Sequence, residues 1–272
     1  MVRLSGIEPP LSAPEADALS TELQAYACVT VLIIAYKQAI INCRYFCYNV
    51  LRHIGRKGDS IMDKITSKHF SALGQQAVKA LNNKRFQAQF VATKEGAVQA
   101  VLDLIKDMDT VGMGGSDTME QLGLKHELEK RGNIIYYHQG LAQEESRIVR
   151  CKELTADVFL ASTNAVTLEG EIINVDGSGN RVAAMSFGPK RVILVVGANK
   201  IVQDEEAGRK RIKLQAAPMN ATRLSCKTPC VTTGMCMECN SPERICMITS
   251  IMHMAPRGSD FHIIIVGESL GY

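Results

Sequence analysis

The sequence predicts an α/β protein built on a largely parallel, doubly wound sheet. Short apolar runs alternate with amphipathic helical segments from residue 62 onward, and several of these runs end in glycine or small polar residues. The composition, 46% hydrophobic and 22% charged, is that of a folded globular protein. The net charge is only +3 and no long basic block occurs, so we expect no nucleic-acid partner.

The predicted elements follow one another in a regular order. An amphipathic helix over residues 62–84 is followed by a strand at 86–92 and by a helix for which Thr93 is the expected N-cap. A strand from residue 109 runs into a glycine turn, and Ser116 or Asp117 is expected to cap the single helix that ends at residues 131–132. Further strands are predicted at 134–138, 157–162, 172–175, 191–196 and 262–267, and further helices at 144–154, 180–187 and 204–214.

The first 61 residues differ from the rest of the chain. They lack the strand–glycine–helix pattern, and residues 6–10 and 21–23 resemble a peptide read from the complement of a tRNA gene. Our hypothesis is that Met62 is the native start and that residues 1–61 are a non-native extension. The alternative is a membrane or signal segment at 26–41, but its uncharged core at 25–36 is shorter than the roughly 20 residues that span a bilayer, and acidic residues precede it. We therefore expect a cytoplasmic protein without a membrane partner.

A glycine turn lies where the second predicted strand meets a helix. Gly114 and Gly115 allow a ligand to approach the backbone, and the free N–H groups after Ser116 favour an anion. The turn is neither a Walker loop nor a dinucleotide fingerprint, because no Gly-Lys-Ser/Thr follows and Asp117 stands in place of the third glycine. A tight turn with a capped helix and an anion site at the strand ends both remain open.

Polar residues also interrupt the apolar runs at residues 161–167 and 171–181. A hairpin turn at 168–170 is expected to bring Thr167 near Glu171, and Asn180 is expected to cap the helix that follows a second turn. Arg181 at a helix start opposes the helix dipole, which suggests that it binds a carboxylate or phosphate; pairing with Asp176 is the alternative. The candidate ligand-binding residues are Gly114, Gly115, Ser116, Thr163, Asn164, Asp176, Gly177, Asn180 and Arg181, and the acid–base candidates are Glu171 and Asp176.

These stretches resemble the lactate-utilisation (LUD) domain family. The resemblance covers residues 62–272 and none of 1–61. It implies a fold like that of glucosamine-phosphate isomerase, ribose-phosphate isomerase and CoA transferases, in which glycine-rich strand ends hold sugar phosphate or acyl-CoA. It also adds Lys200 to the candidate ligand-binding residues. The similar segments are 114–116, 120–123, 156–159, 162–165, 176–182, 187–189, 196–200 and 267–272.

Five of the nine cysteines lie between residues 226 and 246. This cysteine segment, residues 223–247, resembles that of a longer subgroup of the family, in which Cys230, Cys236, Cys239 and Cys246 recur. These four are the candidate metal ligands, and Cys226 is expected not to be one. Thiolates on one short irregular loop suit an iron–sulfur cluster, and we expect the [4Fe–4S] type, whereas zinc ribbons usually space their cysteine pairs more widely. Zinc and metal-free thiols are the alternatives, and Cys151 is expected to be an ordinary, partly buried thiol.

We therefore expect an accessory or redox protein of organic-acid utilisation, related to the third component of a bacterial L-lactate oxidation system. It would bind a small anionic metabolite and an iron–sulfur cluster, with other lactate-oxidation components as partners. The alternatives are a non-redox sugar-phosphate or acyl-CoA enzyme of the transferase type, or a metabolite sensor, with structural zinc on the cysteine segment. The sequence leaves open whether the protein is an enzyme, which reaction it serves and whether it forms a homo-oligomer.

Overall fold

The computed structural model describes residues 61–272, with side chains from residue 63 onward. Residues 62–272 form one compact unit. The hypothesis about a non-native extension and the apolar stretch at 25–36 lie outside the described residues. Within the described range, no helix combines the length and the apolar character needed to cross a membrane.

The helices lie between strands as the sequence predicts. Thr93 caps the second helix by accepting a hydrogen bond from the Gly96 backbone at 3.2 Å. The single helix expected to end at residues 131–132 is instead two helices, because Gly123 adopts a left-handed conformation with φ 64°. A 3₁₀ turn spans Ala198–Lys200, and a π-helical stretch spans Ile212–Ala216. The helices are α1 (Ile61–Asn83), α2 (Lys94–Leu104), α3 (Asp117–Leu122), α4 (Leu124–Lys130), α5 (Gln143–Glu153), α6 (Asn180–Ser186), α7 (Glu205–Arg211), α8 (Ala217–Arg223) and α9 (Pro229–Thr233).

The strands of the described chain form two sheets. They are β1 (Gln87–Val91), β2 (Thr110–Met113), β3 (Ile134–Tyr137), β4 (Val158–Ala161), β5 (Ala165–Thr167), β6 (Ile172–Asp176), β7 (Arg191–Gly197), β8 (Ile201–Val202), β9 (Ile248–Met252) and β10 (Asp260–Val266). The larger sheet has six strands in the order β1-β10-β7-β4-β2-β3, and all its pairs are parallel. The smaller sheet has four strands in the order β8-β5-β6-β9.

Side chains alternate across the larger sheet and form a core on each face. Along β7, Val192 and Leu194 enter a core shared with α1 and α6, whereas Ile193 and Val195 enter a core shared with α2, α3 and α4. This period of two is expected of a strand buried on both faces. Helices therefore cover both faces of a parallel sheet, which confirms the predicted Rossmann-like, doubly wound class.

The smaller sheet was only partly predicted. Its β5–β6 hairpin brings Thr167 to Glu171 as expected, with the Thr167 N–H donating to the Glu171 carbonyl at 2.9 Å. The sequence analysis missed β9, which follows the cysteine segment and pairs antiparallel with β6. The cysteine segment therefore connects α8 to β9 and does not lead directly into the last strand of the larger sheet.

The order of the larger sheet defines a crevice at its carboxyl edge. From β2 the chain first forms β3 on one side and then β4 on the other, so the connections leaving β2 and β4 diverge. Open α/β sheets bind ligands at such a switch point. The glycine turn at residues 114–116 follows β2, and the polar residues 162–164 follow β4, so both predicted motifs lie at this crevice.

Candidate functional site at the strand ends

Arg181 is the centre of a buried hydrogen-bond network. Its Nε donates to Asp176 Oδ1 at 2.8 Å, and its Nη2 donates to Asn164 Oδ1 at 3.2 Å. The Arg181 and Asp176 side chains are only 12% and 5% exposed. The other Asp176 oxygen accepts from the Val182 N–H at 2.9 Å and thereby caps α6. The prediction that Asn180 caps α6 is wrong, since Gly179 is the N-cap residue and Asn180 is already helical.

The glycine turn is closely covered by other side chains. A Cβ atom on Gly114 would lie 3.0 Å from Arg181 Cγ, and one on Gly115 would lie 2.2 Å from Gln139 Nε2. Ser116 occupies the N-cap position of α3 without a side-chain capping bond. Arg181 and Gln139 therefore cover the turn, and the Gly114 N–H already donates to the Leu160 carbonyl at 3.0 Å, so the anion site at this turn stays a prediction.

Lys200 is a buried cation on the same edge of the sheet. It is 3% exposed, and its Nζ donates to Thr118 Oγ1 at 2.8 Å and to Ser162 Oγ at 3.0 Å. The pKa of Lys200 is lowered to about 7, mainly by burial and then by the nearby charges of Arg211 and Arg181, while Asp117 acts in the opposite direction. The charge state of Lys200 therefore depends on the other charged groups at the strand ends.

Arg211 is the second buried cation that lacks a carboxylate. Its Nε donates to the Asn199 carbonyl at 3.1 Å and its Nη1 to the Asn164 carbonyl at 2.6 Å, and desolvation lowers its pKa to about 10. Among the described residues, neither Lys200 nor Arg211 forms a salt bridge. We call Asp176, Arg181, Lys200 and Arg211 the strand-end cluster; it contains three cations and one carboxylate.

Thr163 and Asn164 connect the two sheets. The Thr163 hydroxyl donates to the Ile173 carbonyl at 3.0 Å, and Asn164 Oδ1 accepts from the Val175 N–H at 2.8 Å. Both contacts tie the end of β4 to β6. These two predicted ligand-binding residues therefore hold the position of the strand-end cluster through bonds within the protein.

The two acid–base candidates lie at opposite ends of β6. Glu171 Oε1 is 2.6 Å from His253 Nδ1, in the part of the smaller sheet distant from the crevice. Asp176 ends β6 beside Arg181, and five residues of strand span roughly 16 Å. The structure therefore does not bring Glu171 and Asp176 to one ligand.

A polar pair that the sequence analysis missed lies beside the glycine turn. His138 Nδ1 is 2.6 Å from Glu153 Oε1, and Asn180 Nδ2 donates to Glu153 Oε2 at 3.4 Å. His138 follows β3 and Glu153 ends α5, so no local periodicity connects them. The available signal was a histidine at the end of a predicted strand, at the edge where ligands bind.

The cysteine segment provides free thiols that are all partly exposed. Arg244 lies among three of them: its Nη1 donates to the Cys239 carbonyl at 2.7 Å and its Nε to the Cys246 carbonyl at 3.0 Å. Interaction with Cys246, and more weakly with Cys239 and Cys236, raises the pKa of Arg244. Cys151, expected to be partly buried, is exposed.

The cysteines are suitable metal ligands by their chemistry, but their side chains do not lie close enough together to share one metal ion. Soft thiolates are the donors that iron–sulfur clusters and structural zinc require. Within residues 61–272, however, no three His, Cys, Asp or Glu side chains are close enough together to hold a metal ion. Cys230 Sγ forms a hydrogen bond with Thr228 Oγ1 at 3.2 Å. Arg244 instead interacts with Cys236, Cys239 and Cys246. A shared metal would require the segment to rearrange.

A cavity of about 560 Å³ separates the cysteine segment from α7 and the smaller sheet. Cys236 and Cys246 line one side of it. The charged residues around it are Arg209, Lys210, Lys213 and Arg244, with Glu206 and Glu238. Three of these cations form salt bridges, Arg209 with Glu205, Lys210 with Glu206 and Lys213 with Glu238, so Arg244 is the cation at the cavity that has no carboxylate partner in the described chain.

Fold and site together define a doubly wound α/β protein with buried, cation-rich carboxyl ends of its central strands. The sequence profile of the LUD domain matches residues 74–266, and the chain belongs to this family. Membership implies a function related to lactate utilisation, in agreement with the resemblance seen in the sequence.

Two solved structures are similar to this chain at low identity. A DUF162 family protein from Deinococcus radiodurans is 15% identical, with 72% of this chain and 97% of that chain covered and a TM-score of 0.43. The delta subunit of eIF2B from Chaetomium thermophilum is 15% identical, with 42% of this chain and 49% of that chain covered and a TM-score of 0.31. No curated protein matches the sequence.

Proposed function

We propose that the protein binds a small carboxylate or phosphate at the carboxyl ends of β2 and β4, as an accessory protein of lactate-type organic-acid utilisation. The observation that carries this proposal is the pair of buried cations, Lys200 and Arg211, whose hydrogen-bond partners in the described chain are hydroxyl and carbonyl oxygens. A buried charge without a counter-charge is unfavourable. A bound anion would supply that counter-charge.

The surrounding groups suit an anion of small size. Arg181 lies against Gly114, and the glycine turn follows β2 at the same edge of the sheet. An anion near Lys200 would favour its protonated form and so raise its pKa above about 7. Binding near neutral pH is therefore expected to take up protons.

A thermal-shift panel of hydroxy acids, sugar phosphates and CoA esters tests the proposal. A ligand at about a hundred times its Kd stabilises the folded state by about 2.7 kcal/mol, which raises Tm by several degrees. Lys200→Met should lose most of the shift. Lys130→Met is the matched control, because Lys130 is 56% exposed and pairs with Glu127 on the protein surface. A panel in which no anion raises the Tm of the wild type at millimolar concentration contradicts the proposal.

We also propose that Cys230, Cys236, Cys239 and Cys246 hold an iron–sulfur cluster and that other lactate-oxidation components are its redox partners. The support is the concentration of soft donors on one segment and the position of Arg244 beside Cys239 and Cys246, since a thiolate-bound cluster is anionic. The thiols would have to gather from their present positions. Protein purified anaerobically should be brown and contain iron and sulfide in equal amounts; a colourless protein with stoichiometric zinc contradicts the cluster and supports the zinc alternative.

A further inference from the structure

A short segment without helix or strand follows β10 and crosses the carboxyl ends of the strands. Leu270 anchors it, because this side chain is 1% exposed and packs in the core beneath α2 and α3. After this anchor, the Gly271 N–H donates to Gln121 Oε1 at 3.1 Å, and the Gly271 carbonyl accepts from Asn199 Nδ2 at 3.2 Å. Since both partners are side chains, Gly271 and Tyr272 can move about Leu270 without breaking a strand ladder. We call Gly271 and Tyr272 the flap.

The flap covers Lys200. A Cβ atom on Gly271 would lie 3.1 Å from Lys200 Nζ and 2.5 Å from Thr118 Oγ1, and Gly271 has a φ of 58°, so only glycine fits closely here. The two hydroxyl groups that bind Nζ belong to Thr118 and Ser162, which are 0% and 2% exposed. Gly271 is partly exposed. The approach from solvent to Nζ therefore passes the flap.

The hydroxyl of Tyr272 holds the flap against α8. It accepts a hydrogen bond from Arg223 Nε at 2.7 Å and donates one to Asn220 Oδ1 at 3.0 Å. Both bonds depend on one oxygen atom at the tip of a partly exposed side chain. Removing that oxygen would release the flap from α8 and leave the rest of the tyrosine ring in place.

We propose that the flap is a lid on the proposed anion site, closed in this structure, and that an anion reaches Lys200 when the Tyr272 hydroxyl leaves α8. Lys200 is only 3% exposed, so a ligand can contact its charge only after some covering group has moved. The flap is the covering group that side-chain hydrogen bonds alone hold. The inference rests on the proposed anion site for its purpose, but the opening of the lid can be measured without a ligand.

Trace acetylation of the full chain measures that opening. Acetic anhydride is small and uncharged, so its reaction with Lys200, read by mass spectrometry, reports access to Nζ. In the wild type Lys200 should react at least about tenfold more slowly than Lys130, which is 56% exposed. Tyr272→Phe should raise the rate at Lys200 about fivefold, the effect of losing one ordinary hydrogen bond. Tyr136→Phe, on β3, is the matched control and should leave the rate unchanged.

A second variant prevents closure instead of releasing the latch. Gly271→Ala places a Cβ against Thr118 Oγ1 and should raise the acetylation of Lys200 at least as much as Tyr272→Phe does. Gly258→Ala is its matched control. Gly258 has a similar φ of 79°, but a Cβ there meets no atom within 4 Å, so this change brings the same backbone strain without the contact.

Hydrogen exchange of the wild type followed by NMR completes the test. The Gly271 N–H should exchange at least about tenfold faster than the Ile264 N–H within β10, because the lid opens while the sheet stays folded. Unchanged acetylation of Lys200 in both flap variants, or exchange of Gly271 as slow as that of Ile264, overturns the lid and leaves the anion site standing. Faster acetylation in both variants, with no anion of the thermal-shift panel raising Tm, supports the movement of the flap and overturns the anion site.

Discussion

The strand-end cluster and the cysteine segment contain most of the polar motifs, and they differ in how far their side chains are buried and hydrogen-bonded. In the cluster, Arg181 is 12% exposed and donates to three side chains and two backbone carbonyls. In the cysteine segment the thiols are partly exposed, and Cys236 is fixed chiefly by its backbone N–H, which donates to the Lys213 carbonyl at 2.8 Å. Arg181 is therefore held by hydrogen bonds within the protein, whereas the thiols of the cysteine segment remain partly accessible from solvent.

The two regions nevertheless meet at one turn. The Met247 N–H donates to the Asp176 carbonyl at 2.9 Å, and a Cβ on Gly177 would lie 3.2 Å from the Ile245 carbonyl oxygen. Gly177, a predicted ligand-binding residue, thus contacts the backbone of the cysteine segment. A rearrangement of that segment would therefore change the contact to Asp176, which in turn binds Arg181.

The largest expected effect is on stability and falls on the strand-end cluster. Arg181→Ala leaves the buried Asp176 without its partner and should lower the free energy of unfolding by about 3–5 kcal/mol in urea denaturation. Arg181→Lys should also destabilise, by less, because lysine lacks the planar fork that reaches several acceptors. Arg209→Ala is the control, since Arg209 is 49% exposed and pairs with Glu205 on α7. Equal stability of the Arg181→Ala and Arg209→Ala proteins would show that the cluster does not hold the fold.

A smaller effect, dependent on pH, is expected at Lys200. Its pKa is about 7 in the folded protein and about 10.4 in an unfolded chain, so between these values the unfolded state binds the extra proton. Raising the pH from 7 toward 10 should therefore stabilise the wild type relative to Lys200→Met, by at most about 1.4 kcal/mol per pH unit. Chemical denaturation of both proteins across this range measures the difference. Parallel pH profiles would mean that Lys200 keeps an ordinary pKa.

The smallest stability effect is expected in the cysteine segment without metal. Cys239→Ser and Cys226→Ser should each change the free energy of unfolding by less than about 0.5 kcal/mol in the metal-free protein, because both thiols are partly exposed. After anaerobic preparation the two should separate: Cys239→Ser should lose iron and sulfide, and Cys226→Ser should keep both. Iron and sulfide contents that match the wild type in Cys239→Ser would exclude Cys239 as a ligand.

The fold could be predicted further than the site. Alternation of apolar and amphipathic segments is a local signal, so the strands of the larger sheet and the Thr93 cap could be predicted from the sequence. Strand β9 was missed because it follows an irregular segment and its residues 248 and 249 are exposed, which weakens the apolar pattern. The break at Gly123 was missed because a single glycine in a helical pattern either lies within a continuous helix or marks the end of a helix.

Contacts between distant residues account for what the site analysis missed. The sequence indicated Arg181 and Asp176, five residues apart, as a pair or as ligand contacts, and the pairing is present at 2.8 Å. Arg211 and the pair His138–Glu153 were not indicated, because their partners are 12 to 47 residues away for Arg211 and 15 away for His138. Only the strand order places those residues at one edge.

Proton uptake on anion binding tests the central claim, a cation-rich anion site that includes Lys200, most directly. L-lactate is a suitable probe because its charge is constant from about pH 6 to about pH 9, so any proton taken up comes from the protein. Calorimetry in two buffers of different ionisation enthalpy should show proton uptake by the wild type just above pH 7, where Lys200 is partly neutral, and none by Lys200→Met. Lactate binding with no proton uptake, or with equal uptake by both proteins, would contradict the account.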